Sequence, residues 1–227
     1  LSSNGSVPNE LTPHAWYNWS ANSSELTMKG GVEETSMGQY FSKWLDREGL
    51  IPMNSIPAEG EVRFSSRTKQ RCRATARYFA AGLFPLADIK VEYPKEEKGA
   101  DDFMAPVLHF SNDSYAADAA AEVAAVGDEK GFDGIAEQAR DTIRLIMDTV
   151  DMTESEAYKS GKYGDLLKDG FGYIVGETGK EPDFTGAIKA AYQVADALLL
   201  QYYEEPDAVK AAFGHELTEE DWAKLGD

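Results

Sequence analysis

Cysteine, histidine and long apolar runs are scarce in this chain of 227 residues. The single cysteine, Cys72, excludes a disulfide within the chain and a cysteine-based metal cluster. The three histidines show no metal-ligand spacing, and the HExxH pattern of a zinc protease is absent. No stretch approaches the roughly 20 apolar residues of a membrane-spanning helix. The sequence therefore indicates neither a metal centre nor a membrane span.

Several motifs of well-known enzyme classes are also missing. The sequence contains no GxSxG nucleophile elbow, no Walker loop and no GxGxxG dinucleotide fingerprint. Residue spacing alone therefore identifies no nucleophile, and catalysis cannot be predicted from it.

Positive charge is scarce overall but concentrated in one segment. The formal net charge is -18, which argues against duplex DNA or an anionic membrane as a partner. Yet RFSSRTKQRCRATAR, residues 63–77, holds six basic residues and no acidic one. Arginine suits bidentate contact with phosphate, so this segment indicates one specific anion site. Any one of these arginines, taken alone, is more typical of a solvated surface than of an anion site.

Periodicity in the first 95 residues predicts a strand–helix–strand unit. Apolar alternation favours short strands near residues 62–66 and 89–93. Between them, a helix capped by Ser65 or Ser66 is predicted to run to about residue 81. A return this short favours parallel strands in an α/β core. Another helix is predicted over 34–48, after an irregular start rich in glycine, proline and serine.

The remainder of the chain is predicted to be mostly helical. A long polar loop over 95–113 precedes helices predicted over 114–126, 131–150 and 185–204, and Thr218 opens a short last helix. The glycine-rich stretch 163–182 is predicted to be a loop. The fold class is therefore α/β, with a partial parallel-sheet core over residues 1–95 and a predominantly helical module over 96–227.

The basic segment begins where the first strand of that unit passes into its helix. In open α/β sheets ligands bind at this carboxyl edge, and helix N-termini there favour anions. On a helix running through the segment, Arg67 and Arg71 share one face and Arg73 and Arg77 another. We therefore expect at most one of these pairs to face a ligand.

Two segments resemble the histidine acid phosphatase family. They are LTMKGGVEETSMGQYFSKWL, residues 26–45, and QRCRATARYFAAGLFP, residues 70–85, and the shorter elements NGSV (4–7) and QYYE (201–204) accompany them. The likeness is strongest to bacterial periplasmic glucose-1-phosphatases and weaker to phytases. It implies a histidine-phosphatase-like α/β core with a helical cap, which agrees with the fold class predicted from periodicity.

The resemblance also implies a reaction and a set of residues. In the family a histidine attacks phosphorus, arginines neutralise the phosphoryl oxygens and a carboxylic acid protonates the leaving oxygen. Arg71 matches a catalytic arginine of the family, whereas Arg67 and Glu204 are candidate substrate-binding residues. Glu204 is at least as typical of a surface acid at the end of a helix. A sugar phosphate is the expected substrate, with no cofactor and with a periplasmic or secreted location, although no signal peptide opens the chain.

The departures from the family pattern concern the catalytic machinery itself. No RHGxRxP-type nucleophile motif occurs, and Gly214-His215-Glu216 precedes a helix start instead of following a strand, so we reject it as the proton donor. We therefore expect this chain alone to be inactive. The alternative is a non-catalytic helical binding or cap module for a phosphorylated ligand or a partner chain. RNA binding is disfavoured, because aromatic residues do not interleave with the basic ones.

Overall fold

The computed structural model describes residues 7–94, 113–168, 170–174 and 183–226. None of the helices in these ranges combines the length and the apolar character that crossing a bilayer requires. The elements follow in this order: α1 Val7–Glu10, α2 Met28–Arg47, β1 Phe64–Ser65, α3 Gln70–Leu83, β2 Val91–Glu92, α4 Asp113–Ala125, α5 Phe132–Thr149, α6 Glu156–Lys159, β3 Phe171–Ile174, β4 Asp183–Gly186, α7 Ala187–Glu204, α8 Ala208–Ala211 and α9 Glu219–Gly226. The loop predicted over 95–113 lies outside the described residues, apart from Asp113, which begins α4.

Contacts divide the chain into two compact units. The α/β unit comprises Trp19–Pro106, and the helical unit comprises Leu1–Asn18 together with Val107–Asp227. The assignment of residues 1–95 to a phosphatase core and of 96–227 to a cap stays a prediction, because compact packing units and the domains of a whole enzyme need not share boundaries.

The helical unit is built around α7. Its buried face, which includes Val194 and Leu198, packs against α1, α5, α8, α9 and β4. From α5, Ile143 and Ile146 enter the same core, and Trp222 of α9 stacks on Tyr202 with ring centroids 4.1 Å apart. Burial of these apolar side chains is the main favourable contribution to the stability of the unit.

Close contact between α2 and α3 organises the α/β unit. A Cβ atom on Gly38 would lie 2.2 Å from the carbonyl oxygen of Phe79, and one on Gly82 would lie 2.1 Å from that of Thr35. Glycine at both positions therefore lets the two backbones touch. Beside this contact, the Phe79 ring lies 5.7 Å from that of Phe41.

The predicted strand–helix–strand unit is confirmed. β1 and β2 are parallel, with Phe64 paired to Val91 and Ser65 paired to Glu92, and α3 connects them. The helix begins later than predicted, however. Lys69 is its N-cap, and neither Ser65 nor Ser66 caps it. It also continues through Gly82 to Leu83, because Gly82 packs against α2 instead of ending the helix.

The predicted start of α2 is wrong by six residues. The helix begins at Met28, not at Glu34, because the Thr27 side chain accepts a hydrogen bond from the Gly30 backbone N–H and caps it. The glycines at 30 and 31 therefore belong to the first turns of the helix, whereas the sequence suggested a break.

The predicted loop over 163–182 contains a strand. β3 pairs with β4 in antiparallel register, with Phe171 opposite Gly186 and Ile174 opposite Asp183. The following helix begins at Ala187, two residues later than predicted. In contrast, the short last helix is capped as predicted, since the Thr218 hydroxyl accepts from the Asp221 backbone N–H.

Candidate functional site

The candidate site lies in the α/β unit, at the carboxyl ends of its two parallel strands. Ser66 follows β1 directly, and its backbone N–H donates to the Glu92 carbonyl of β2 over 2.9 Å. Arg67 comes next and is exposed. Because this edge of an open α/β sheet is where ligands bind, the geometry agrees with the location predicted from sequence.

Helix α3 begins at the same edge, and no N-cap side chain satisfies its first backbone N–H groups. Its N-cap, Lys69, has an extended backbone and makes no side-chain capping hydrogen bond, and its first turn contains no acidic residue. The positive end of the helix dipole and the first N–H groups therefore favour an anion there.

The start of α2 lies beside the start of α3. The Leu26 backbone N–H, just ahead of α2, donates to Oε1 of Gln70 over 3.0 Å. The first turn of α2 also contains no acidic residue. Two helix N-termini are thus held together without a carboxylate in either first turn.

The basic residues of this edge are not neutralised by the protein. Within the ranges that the structure describes, four cations near the start of α3 form no ion pair with a carboxylate: Arg67, Lys69, Arg71 and Arg73. The exception is Arg63, whose guanidinium donates to Glu92 at 2.7 Å. In a chain with 40 acidic residues, unpaired cations next to two helix N-termini form a local anion-attracting centre.

The predicted pairing of arginines is half wrong. Arg67 precedes the helix, so it does not share a helical face with Arg71, which lies in the first turn of α3 and is exposed. Arg73 and Arg77 both lie on α3, four residues apart as predicted. The catalytic role of Arg71 and the substrate-binding role of Arg67 stay predictions.

Glu204 lies in the other compact unit. It is the last residue of α7 and is half-buried, two residues after Tyr202 of the helical core. Its substrate-binding role likewise stays a prediction.

A cluster that sequence reasoning missed joins three distant segments of the helical unit. Nε2 of His14 lies 2.7 Å from Oδ2 of Asp151, and Nε2 of His215 lies 3.3 Å from the same oxygen. The His14 ring also stacks on Phe213 at 4.9 Å. No local pattern could have revealed this cluster, because 137 and 64 positions separate the histidines from the aspartate.

The cluster changes the acidity of its carboxyl group. The hydrogen bond from His14 is the main cause that lowers the pKa of Asp151, and the bond from His215 adds to it against the opposing effect of partial burial. No group of three or more histidine, cysteine, aspartate or glutamate side chains in the described ranges is arranged to hold a metal ion. His109, the third histidine, lies outside the described residues.

Comparisons with known proteins agree with these observations. No protein-family model matches the chain. A glucose-1-phosphatase from Salmonella typhimurium is 30% identical over 99% of this chain, and one from Providencia rettgeri is 32% identical over 98%. A phytase from Escherichia coli is 31% identical over 43% of the chain. The chain spans about half the length of the two glucose-1-phosphatases, 52% in each case.

The fold agrees as well. A crystal structure of Hafnia alvei phytase superimposes with a TM-score of 0.80 at 20% identity, over 95% of this chain and 52% of the phytase. The prediction of a partial α/β core with a predominantly helical cap is thus confirmed as a fold class. The chain is a relative of the bacterial glucose-1-phosphatases and the phytases, and its resemblance to the histidine acid phosphatase family is confirmed.

Proposed function

We propose that this chain is part of a phosphomonoester hydrolase of the histidine acid phosphatase type, and that Arg71 contacts the phosphate. The observation that carries the proposal is the group of unpaired cations at the start of α3, in a chain of net charge -18. A phosphoryl group in transfer spreads negative charge over its equatorial oxygens, and arginines stabilise that charge. The glucose-1-phosphatase relatives support a phosphate ester as ligand.

The family reaction proceeds in two steps. A histidine forms a nitrogen–phosphorus bond while the ester oxygen–phosphorus bond breaks, and a carboxylic acid gives the leaving oxygen its proton. Water then attacks phosphorus and gives a proton to the carboxylate; an oxygen–phosphorus bond forms while the nitrogen–phosphorus bond breaks, which frees the histidine and inorganic phosphate. We propose that these 227 residues alone bind phosphate without this chemistry, since they contain no RHGxRxP-type motif and both described histidines contact Asp151.

The proposed substrate is a small sugar phosphate. We propose that Arg67 and Glu204 contact it, and that the protein acts in the periplasm or after secretion. Neither nucleic acid nor a membrane is a proposed partner, because the acidic surface repels polyanions at long range.

A second candidate function is non-catalytic binding of a phosphorylated ligand. The specific observation in its favour is that the unpaired cations lie in the α/β unit, whereas both described histidines lie in the helical unit. Hydrolysis by the parent hydrolase proposed above, lost in its Arg71→Met variant, would favour the enzyme over the binding module.

The test is calorimetric binding of inorganic phosphate to the 227-residue chain. Arg71→Met removes a charge-assisted hydrogen bond worth about 1.5–3 kcal/mol, so we expect Kd to rise about 10- to 100-fold. Arg77→Met is the matched control, because Arg77 is also exposed but lies six residues further along α3. An unchanged Kd for Arg71→Met, or equal losses in both variants, would contradict the site.

A further inference from the structure

Arg73 differs from the other arginines of the basic segment in how it is held. It is half-buried, and its Nε atom is fully buried without a hydrogen-bond partner among the described residues. A buried donor left without a partner is unfavourable, so this arrangement is unusual for a simple surface arginine.

The ring of Tyr93 holds the guanidinium of Arg73. The central guanidinium carbon lies 5.0 Å from the centre of that ring, within the range of a cation–π interaction. Stacking restrains the flat group without using its hydrogen-bond donors. This contact restrains the guanidinium of Arg73, which forms no ion pair among the described residues.

Through its contact with Tyr93, this guanidinium lies at the edge of the candidate site. Tyr93 follows β2 directly, and the last residue of β2, Glu92, accepts the hydrogen bond from Ser66 that joins the carboxyl ends of the two strands. The carboxylate of Glu92 is already occupied by Arg63. No ion pair therefore neutralises Arg73 among the described residues.

Arg71 and Arg73 leave the same helical turn in different directions. At about 100° per residue, positions two apart on a helix differ by roughly 200° around its axis. Two arginines so arranged do not both lie flat against one small anion. They are suited to two anionic groups, one on each side of the start of α3.

We propose that Arg73, restrained by Tyr93, is a specificity-determining residue that contacts a second anionic group on the ligand. The favoured class is then a phosphomonoester whose sugar carries a further phosphate or a carboxylate. This inference rests on the proposed function, because it takes Arg71 as the residue that holds the transferred phosphate. The acidic chain repels such ligands at long range, so the local cations at both positions are needed for binding.

The test compares the binding of glucose 1-phosphate and glucose 1,6-bisphosphate to the 227-residue chain by calorimetry. We expect the bisphosphate to bind at least about 10-fold more tightly, as for one added charge-assisted contact. The ratio of the two Kd values, glucose 1-phosphate over glucose 1,6-bisphosphate, should fall to about two or less in Arg73→Met. In contrast, Arg71→Met should weaken the binding of both ligands. Arg77→Met, which is outside the site, should change neither Kd more than about twofold.

Two further measurements separate a lost contact from lost folding. Thermal unfolding is recorded for every variant, and Tyr93→Leu keeps the cation while removing the ring that restrains it. We expect Tyr93→Leu to lower the ratio several-fold in a folded protein. Equal binding of the two ligands by the wild type, or a ratio unaffected by Arg73→Met, would overturn the inference and leave the role of Arg71 intact. If Arg71→Met changed neither Kd, the proposed function would fail as well.

Discussion

At the scale of single residues, Asp151 shows how one carboxylate can join three parts of the chain. It accepts hydrogen bonds from His14 near the start and His215 near the end, and it lies just after α5 in a left-handed backbone conformation with φ of 48°. Aspartate adopts this conformation more readily than most residues. The residue therefore both ends the helix and fixes two loops of the helical unit.

This arrangement predicts a pH-dependent contribution to stability. Because the pKa of Asp151 is lowered in the folded protein, its contribution is present above the ordinary value of 3.8 and is lost as the pH falls through the lowered pKa. Asp151→Asn should lower the free energy of unfolding by about 1 kcal/mol near pH 6, a figure reduced for solvent screening because the side chain is partly exposed. Urea unfolding at pH 6 and at a series of lower pH values, from 4 downward, measures the difference.

Asp148→Asn is the matched control, since it makes the same charge change at an exposed position of α5. Its effect should stay within about 0.5 kcal/mol at each of these pH values. If the loss caused by Asp151→Asn showed no decrease as the pH fell below 3.8 through the acid range, the ionised carboxylate would not be its cause.

At the scale of elements, contact between α2 and α3 depends on glycine. Gly82→Ala would place a Cβ atom 2.1 Å from the Thr35 carbonyl oxygen, so the helices would have to separate. We expect a loss of about 1–3 kcal/mol in the free energy of unfolding, although alanine favours a helix by about 1 kcal/mol in other settings. Urea unfolding at neutral pH checks this expectation.

Gly30→Ala provides the comparison within the same helix pair. The nearest atom to a Cβ on Gly30 is Cδ1 of the Leu26 side chain at 2.8 Å, and this flexible side chain can move away. Gly30→Ala should therefore lower the free energy of unfolding by less than about 0.5 kcal/mol. Equal losses in the two variants would show that backbone contact at Gly82 is not the reason for its effect.

Local sequence patterns predicted the strands and helices of the α/β unit, but they placed the ends of its helices incorrectly. Alternation around Phe64 and Val91 was enough to predict two parallel strands, because a short βαβ return allows few other arrangements. The start of α2 was missed because Gly30 and Gly31 suggest a break, whereas capping by Thr27 and packing against α3 overcome that tendency. The start of α2 therefore depends on a tertiary contact, and a single sequence gives no direct information about such contacts.

The candidate site was predictable in its location but not in its detail. The six basic residues and the absence of acidic ones from Arg63 to Arg77 were enough to predict an anion site in this segment. Helical spacing then grouped Arg67 with Arg71, which failed because the helix begins only after Lys69. The contact between Arg73 and Tyr93 joins residues twenty positions apart, and no periodicity connects them.

At the scale of the whole molecule, strong overall acidity coexists with one cationic edge. A net charge of -18 repels anions at distances beyond about 10 Å at low salt, whereas the unpaired arginines act at close range. Such a distribution favours small ligands that reach the edge over long polyanions that also meet the acidic surface. It therefore supports a small phosphomonoester better than a nucleic acid.

The 227-residue chain should bind phosphate without hydrolysing phosphate esters. We expect it to bind inorganic phosphate through Arg71 yet release no phosphate from glucose 1-phosphate or p-nitrophenyl phosphate at pH 3–7. The physical reason is that neutralising the phosphoryl oxygens stabilises charge but forms no bond to phosphorus, and no nucleophile motif of the family occurs in the sequence. Released phosphate is measured in parallel for the wild type and for Arg71→Met. Hydrolysis by the wild type that disappears in Arg71→Met would show that this chain is itself a phosphatase and would contradict the expectation, whereas equal traces in both preparations would come from a contaminating enzyme.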